Sequence, residues 1–192
     1  MQKTYEILKD IVKFNPAITH FSLRLYKNIE RSVWTPDTEV QYEWISVKDI
    51  SNIESYIQKH ELENWTIGLT NLVMTGRGIQ YLLMLDYSVP QSIENEKQLY
   101  SKLSVFNKSG DVDYKLAGYL IKTDKSYHYL GKYITTQENF INFLGSSLLF
   151  RHTDQSIFIV DDRWLGHSLK KKFATIRISR KNESHPIVIR EI

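Results

Sequence analysis

The sequence predicts an α+β fold: one sheet with helices packed on it, and a smaller α/β lobe ahead of the main unit. Three observations carry that expectation. Alternating or continuous apolar stretches are interleaved with stretches whose apolar residues recur every three to four positions. The breakers between them are few, with four prolines and eight glycines in 192 residues. The composition, 42% hydrophobic and 24% charged, is that of an ordinary globular chain, long enough to bury about 70% of its unfolded surface.

The N-terminal part reads as helix, two strands, helix and strand. Tyr5–Phe14 carries Ile7, Leu8, Ile11 and Val12 at helical spacing and is stopped by Pro16. Thr19–Tyr26 alternates as a half-buried strand, and Val40–Ile45 forms a second strand after a turn at Pro36-Asp37. Val47–His60 returns to helical spacing, with Ile50, Ile53, Tyr56 and Ile57 inward and Glu54 facing solvent. Trp65–Met74 is a further apolar run, closed by Thr75-Gly76-Arg77-Gly78. That glycine pair marks the expected boundary between a lobe over residues 1–76 and a main unit over residues 77–192.

The main unit has a clearer order. Ile79–Leu85 is an apolar strand ending in Asp86, and Gln91–Phe106 is a helix with Ile93, Leu99, Leu103 and Phe106 inward. A loop at Asn107–Asp111 precedes strands Leu116–Ile121 and Tyr127–Ile134, joined by Thr123-Asp124-Lys125. Gln137–Phe150 is a helix, and Ser156–Val160 is a strand ending in Asp161. This is the β-α-β-β-α-β order of RRM-like and ferredoxin-like sheets. Strands at Thr175–Ser179 and Ile187–Arg190 flank it.

In that order the first and third strands are central neighbours and the fourth lies beside the first. Asp86, Ser126-Tyr127-His128 and Asp161-Asp162 then meet at one end of the sheet, although they are far apart in the chain. Carboxylates directly after apolar strands are hard oxygen ligands on rigid supports, which a divalent cation needs. Each residue also has a structural reading. Asp86 before Ser88-Val89-Pro90 fits a turn or cap, His128 a half-buried strand histidine, and Asp161-Asp162-Arg163 a surface ion pair.

Strand-Asp, then Ser-x-His, then apolar-Asp on this succession of elements resembles the archaeo-eukaryotic primase–polymerase (prim-pol) superfamily. The likeness runs from about Ile79 to Asp162. It implies an RRM-like palm completed by the N-terminal lobe, and a metal-dependent nucleotidyltransferase acting in DNA replication on nucleotides and single-stranded DNA or RNA. By the resemblance, Asp86, His128 and Asp161 are the catalytic set. Asp86 and Asp161, with Asp162 beside them, would hold Mg²⁺ or Mn²⁺, and Ser126 and His128 would contact the nucleotide. A helicase or a separate primase subunit is the kind of partner it implies.

The first motif departs from the family pattern. It reads Leu85-Asp86-Tyr87-Ser88, with serine where a second acidic residue is usual. Positions 86 and 88 share a strand face, and a neutral hydroxyl cannot supply a carboxylate's charge to a two-metal centre. The chain is therefore similar to a divergent, single-aspartate "primase 1D-like" branch. The alternative is a catalytically inactive module that binds nucleotide or nucleic acid; a plain structural α/β domain is a third reading.

The C-terminal segment is the most basic. Arg163-Trp164-Leu165-Gly166-His167 follows the third motif, and its Gly-His pair fits a tight turn in which His167 either meets phosphate or only shapes the turn; Arg163 and Arg177 are further expected nucleotide contacts. Lys170, Lys171, Lys172 and Arg180, interleaved with Trp164 and Phe173, suit a nucleic-acid backbone, or equally a solvated face. Net charge is only +3, so any such patch is local.

Other classes are excluded or disfavoured. Cysteine is absent, which removes thiolate nucleophiles, zinc–cysteine and iron–sulfur sites and disulfides, and fits a reducing compartment. No His-x-His pair, P-loop or Gly-x-Ser-x-Gly elbow is present. No apolar run approaches a membrane span, and no signal-peptide core follows Met1, so a cytoplasmic protein without membrane contact is expected.

Overall fold

A computed structural model describes residues 2–27, 40–108, 116–149, 159–180 and 184–192, with the backbone alone over 105–108. Its described elements are strands β1 Ile18–Tyr26, β2 Val40–Ser46, β3 Thr66–Thr75, β4 Gly78–Tyr87, β5 Gly118–Lys122, β6 Tyr127–Thr135, β7 Thr175–Arg177 and β8 Ile187–Glu191. The helices are α1 Leu8–Phe14, α2 Ile53–Leu62, α3 Ile93–Lys108, α4 Gln137–Ser147 and α5 Asp162–Lys171. Short 3₁₀ turns over Thr4–Ile7 and Val47–Asn52 lead into α1 and α2, where the apolar spacing predicts continuous helix.

All described strand pairs are antiparallel, and the order is β2-β1-β3-β4-β6-β5-β8, with β7 on β3. The sheet runs through the glycine pair at residues 76–78. Thr75 pairs with Gly78 around a two-residue turn, and Gly78 takes φ +100°, a left-handed conformation that a side chain resists. The N-terminus also reaches the far edge. Lys3 bridges to Ile187, and Thr4 donates to the Pro186 carbonyl through its amide (3.1 Å) and its hydroxyl (2.9 Å).

β3 and β4 pair only from Leu72–Thr75 against Gly78–Tyr81 and then diverge. Into the fork come β7, which pairs with Gly68–Thr70, and Val160, which bridges to Tyr87. Asn71 is wholly buried at the branch point. Its amide group donates to the Leu82 carbonyl at 3.3 Å and its side-chain oxygen accepts from the Ala174 N–H at 2.9 Å. The fourth strand expected at Ser156–Val160 is this single bridge among the described residues; residues 156–158 lie outside them, as do Pro36-Asp37, most of the Asn107–Asp111 loop and the Phe106 side chain.

α4 packs over β4 and β6. Phe140 stacks on Tyr81 at 5.8 Å between ring centroids, and Phe143 meets Tyr129 at 6.0 Å. Tyr127 points the same way as Tyr129, its hydroxyl holding the Ser92 backbone just before α3. His128, between these two tyrosines, therefore lies on the opposite face of the sheet. Asn15, which ends α1, ties that helix to β6: its amide donates to the Lys132 carbonyl (2.6 Å) and its oxygen accepts from Ile134 N–H (3.1 Å).

Candidate nucleotide site at the end of β4

Asp86 sits one residue before the end of β4, directly opposite His128 of β6. On its other side, the Tyr87–Val160 bridge and the Asp161 N–H donating to the Asp86 carbonyl (2.9 Å) set Asp161 opposite Asp86. His128, Asp86 and Asp161 thus form one cross-strand row over three adjacent backbone segments. Residues opposite each other on paired strands share a face, so the row is a matter of register. β4 is the middle of the three, which explains why one aspartate has both partners as neighbours.

The His128 ring is 8% exposed and its Nε2 lies 3.4 Å from Asp86 Oδ1. Its Nδ1 is buried without a hydrogen-bond partner. The Asp86 side chain, 26% exposed, is the accessible member of this pair. Asp161 caps α5, one carboxylate oxygen accepting from Trp164 N–H at 2.7 Å. Its other oxygen is outside that bond. Asp162 is exposed and its Oδ1 accepts from the Arg163 N–H at 2.7 Å. Ser88 lies past the end of β4, and its hydroxyl donates to the Ile159 carbonyl at 3.3 Å.

The other expected residues are more scattered. Ser126 closes the β5–β6 turn, its N–H donating to Thr123 Oγ1 at 3.0 Å. Arg163 and His167 are exposed on α5, a helix where the sequence suggests a turn. Gly166 and Ser168 hide this helix by propensity. The signals present were the Asp161 cap, the inward Leu165 and Ser168, and the lysines of the last turn. Lys170 and Lys171 end that helix, where cations complement the carbonyl dipole, and Lys172 closes it with φ 61°. Arg177 is 10% exposed and committed: its guanidinium pairs with Asp124 and donates to the Ser179 carbonyl. Arg180 is exposed, with its N–H on the Glu61 carboxylate.

Among the described residues no three His, Asp or Glu side chains gather into a group that could hold a metal ion. Among the described residues a two-metal centre is therefore not preassembled. One divalent cation arriving with its own phosphates is a different case, because Mg²⁺ is commonly held by only one or two carboxylates plus phosphates. Asp86 and the uncapped oxygen of Asp161 fit that smaller role.

Sequence reasoning did not single out Tyr42 and Trp44, which are 51% and 41% exposed on β2. Tyr42 meets Phe173 edge-on at 6.0 Å, beside the lysines that end α5. The alternation of β2 carried that signal, but only the β1–β2–β3 register brings it to α5.

A family model described as AEP-like, archaeo-eukaryotic primase 1D-like, matches residues 49–189, well over half of the chain. Neither the curated proteins nor the solved structures give a match to this chain. Among the described residues, no helix is long and apolar enough to cross a membrane.

Proposed function

The chain belongs to the archaeo-eukaryotic primase 1D-like family, and we propose that its Asp161–Asp86–His128 row binds a nucleoside triphosphate on an RRM-like palm. The observation that carries this reading is the register itself: three residues, from sites far apart in sequence, stand in one line across three backbone segments. Nothing in hydrophobic packing requires two carboxylates and an imidazole there.

Asp86 and Asp161 would hold a Mg²⁺ or Mn²⁺ ion that neutralises the nucleotide's phosphates. Asp86 keeps the His128 imidazole oriented, and the ring lies beside the phosphates as a polar contact. Ser126 closes the turn from which His128 enters. Nucleotidyl transfer is the weaker part of the family's chemistry here, because Ser88 provides a neutral hydroxyl already donated to a backbone carbonyl. Single-stranded nucleic acid would run along Lys170, Lys171, Lys172 and Arg180, with Tyr42, Trp44 and Phe173 as stacking surfaces.

Titration of a fluorescent nucleoside triphosphate into the full chain tests the binding. Binding is expected with Mg²⁺ or Mn²⁺, and Asp86→Ala should weaken it about tenfold or more, as losing one charge-assisted contact of roughly 1.5–3 kcal/mol does. Affinity indifferent to Asp86→Ala would refute the site. Template-directed incorporation tests the transfer step separately: Ser88→Asp should raise it above the natural chain. If neither protein incorporates nucleotide, binding without transfer is the function.

A further inference from the structure

The β5–β6 turn, from which Ser126 and His128 follow, is tied to a distant part of the chain. Lys122 pairs with Tyr127, so residues 123–126 close the hairpin. Thr123 Oγ1 accepts from the N–H groups of Lys125 (3.3 Å) and Ser126 (3.0 Å), and the Gln91 amide donates to the Thr123 carbonyl at 2.6 Å. A further tie comes from β7. The Arg177 guanidinium pairs with Asp124, and the two side chains are only 10% and 15% exposed.

That ion pair crosses β4. Gly68 and Leu69 of β3 give one edge to β1 and the other to β7, so β7 stands on the β4 side of β3. In the sheet order β4 separates β3 from β6, and Arg177 therefore reaches from one side of β4 to the hairpin on the other. The base of the tie is itself fixed. The guanidinium also donates to the Ser179 carbonyl at 3.1 Å, and the Ser179 N–H donates to the Ile67 carbonyl of β3 at 3.2 Å. At the other end, Asp124 Oδ2 is buried without a hydrogen-bond partner, so the carboxylate's charge depends on the guanidinium. Arg177 cannot leave for a phosphate without stranding that charge in a nearly buried position, which is strongly unfavourable.

We propose that Arg177 is a positioning residue for the nucleotide row and not a contact of the nucleotide. Through Asp124 it holds the β5–β6 turn to the β3 framework, and so fixes where Ser126 and His128 stand relative to Asp86. The inference rests on the reading of the row as a nucleotide site. Binding side chains keep their geometry only when the residues around them are locked in turn. The Arg177–Asp124 pair supplies that lock across the very strand that carries Asp86.

Titration of a fluorescent nucleoside triphosphate with Mn²⁺ into the full chain and its variants tests this, with urea midpoints as the check on folding. Asp124→Asn and Arg177→Gln should each weaken binding about fivefold. The double variant Asp124→Asn/Arg177→Gln, which strands no lone charge, should bind no more weakly than either, because both changes break one link. Arg177→Lys keeps a cation on Asp124 and should stay within about twofold of the natural chain. In the nucleotide-free protein, Arg177→Gln should also move the amide signals of Ser126 and His128. A direct contact predicts another pattern: Asp124→Asn would release the guanidinium and leave binding unchanged or tighter, which would overturn the proposal. Lower urea midpoints with unchanged affinity, or losses that add in the double variant, would overturn it as well. No binding by the natural chain would sink the row's reading and this one with it, whereas full binding by the variants would sink this one alone.

Discussion

The titration of His185 couples to folding near neutral pH. Burial pushes its imidazole below the ordinary 6.5; Glu61 opposes that shift, and Lys3, Arg180 and Arg177 add to it. The unfolded chain therefore takes up the proton first as pH falls. Its contribution to stability is complete above about pH 6.5 and is lost as pH drops through that value toward the folded one. Urea midpoints should fall between about pH 7.5 and about pH 5.5, and His185→Gln should flatten that slope. Asn71 acts differently, because its side chain bridges β4 to Ala174 in a wholly buried fork. Asn71→Ala strands the Ala174 N–H without its acceptor and should cost about 1–3 kcal/mol, read as a lower urea midpoint at unchanged slope. Composition gives no sign of either role, which depends on contacts as distant in the chain as Asn71 with Ala174 and His185 with Glu61.

At the scale of elements, α5 carries two duties at once. Asp161 begins the helix by capping Trp164 N–H and ends the Asp86 row. The two duties separate by substitution. Asp161→Ala removes the cap and should cost about 0.5–2 kcal/mol. Asp161→Asn caps as well, so thermal stability should hold while cation-dependent nucleotide binding falls. Loss of stability in both variants, with binding intact, would leave Asp161 a cap alone. The sequence made β1–β8 and the bodies of α1–α4 legible, because most combine a clear apolar period with a breaker at the end. It concealed α5, where Gly166 interrupts a helical pattern, and it overstated the strand before Asp161, which is one bridge in the described residues. The motif aspartates and His128 were legible as residue types at strand ends. Their alignment in one row depends on β4–β6 register, which local pattern does not set.

For the whole molecule, the organising feature is the fork between β3 and β4. Two strands that part after four paired residues leave a space into which β7 and the Val160 segment enter from opposite ends of α5. That insertion brings Asp161 to Asp86. The N-terminal stretch belongs to the same sheet at both ends, through β3 and through Lys3 against Ile187. The basic end of α5 and the aromatic face of β2 meet through Phe173 and Tyr42. The Asp161–Asp86–His128 row and the contact between β2 and the end of α5 thus arise from one crossing of the sheet.

If the proposed row receives a nucleotide together with its cation, paramagnetic broadening will locate both. Mn²⁺ added with a nucleoside triphosphate to the isotope-labelled full chain should broaden the amides around Asp86, His128 and Asp161 first. Asp86→Ala should abolish that pattern without changing the fold. Broadening centred elsewhere, or none at concentrations that saturate the nucleotide, would contradict the account.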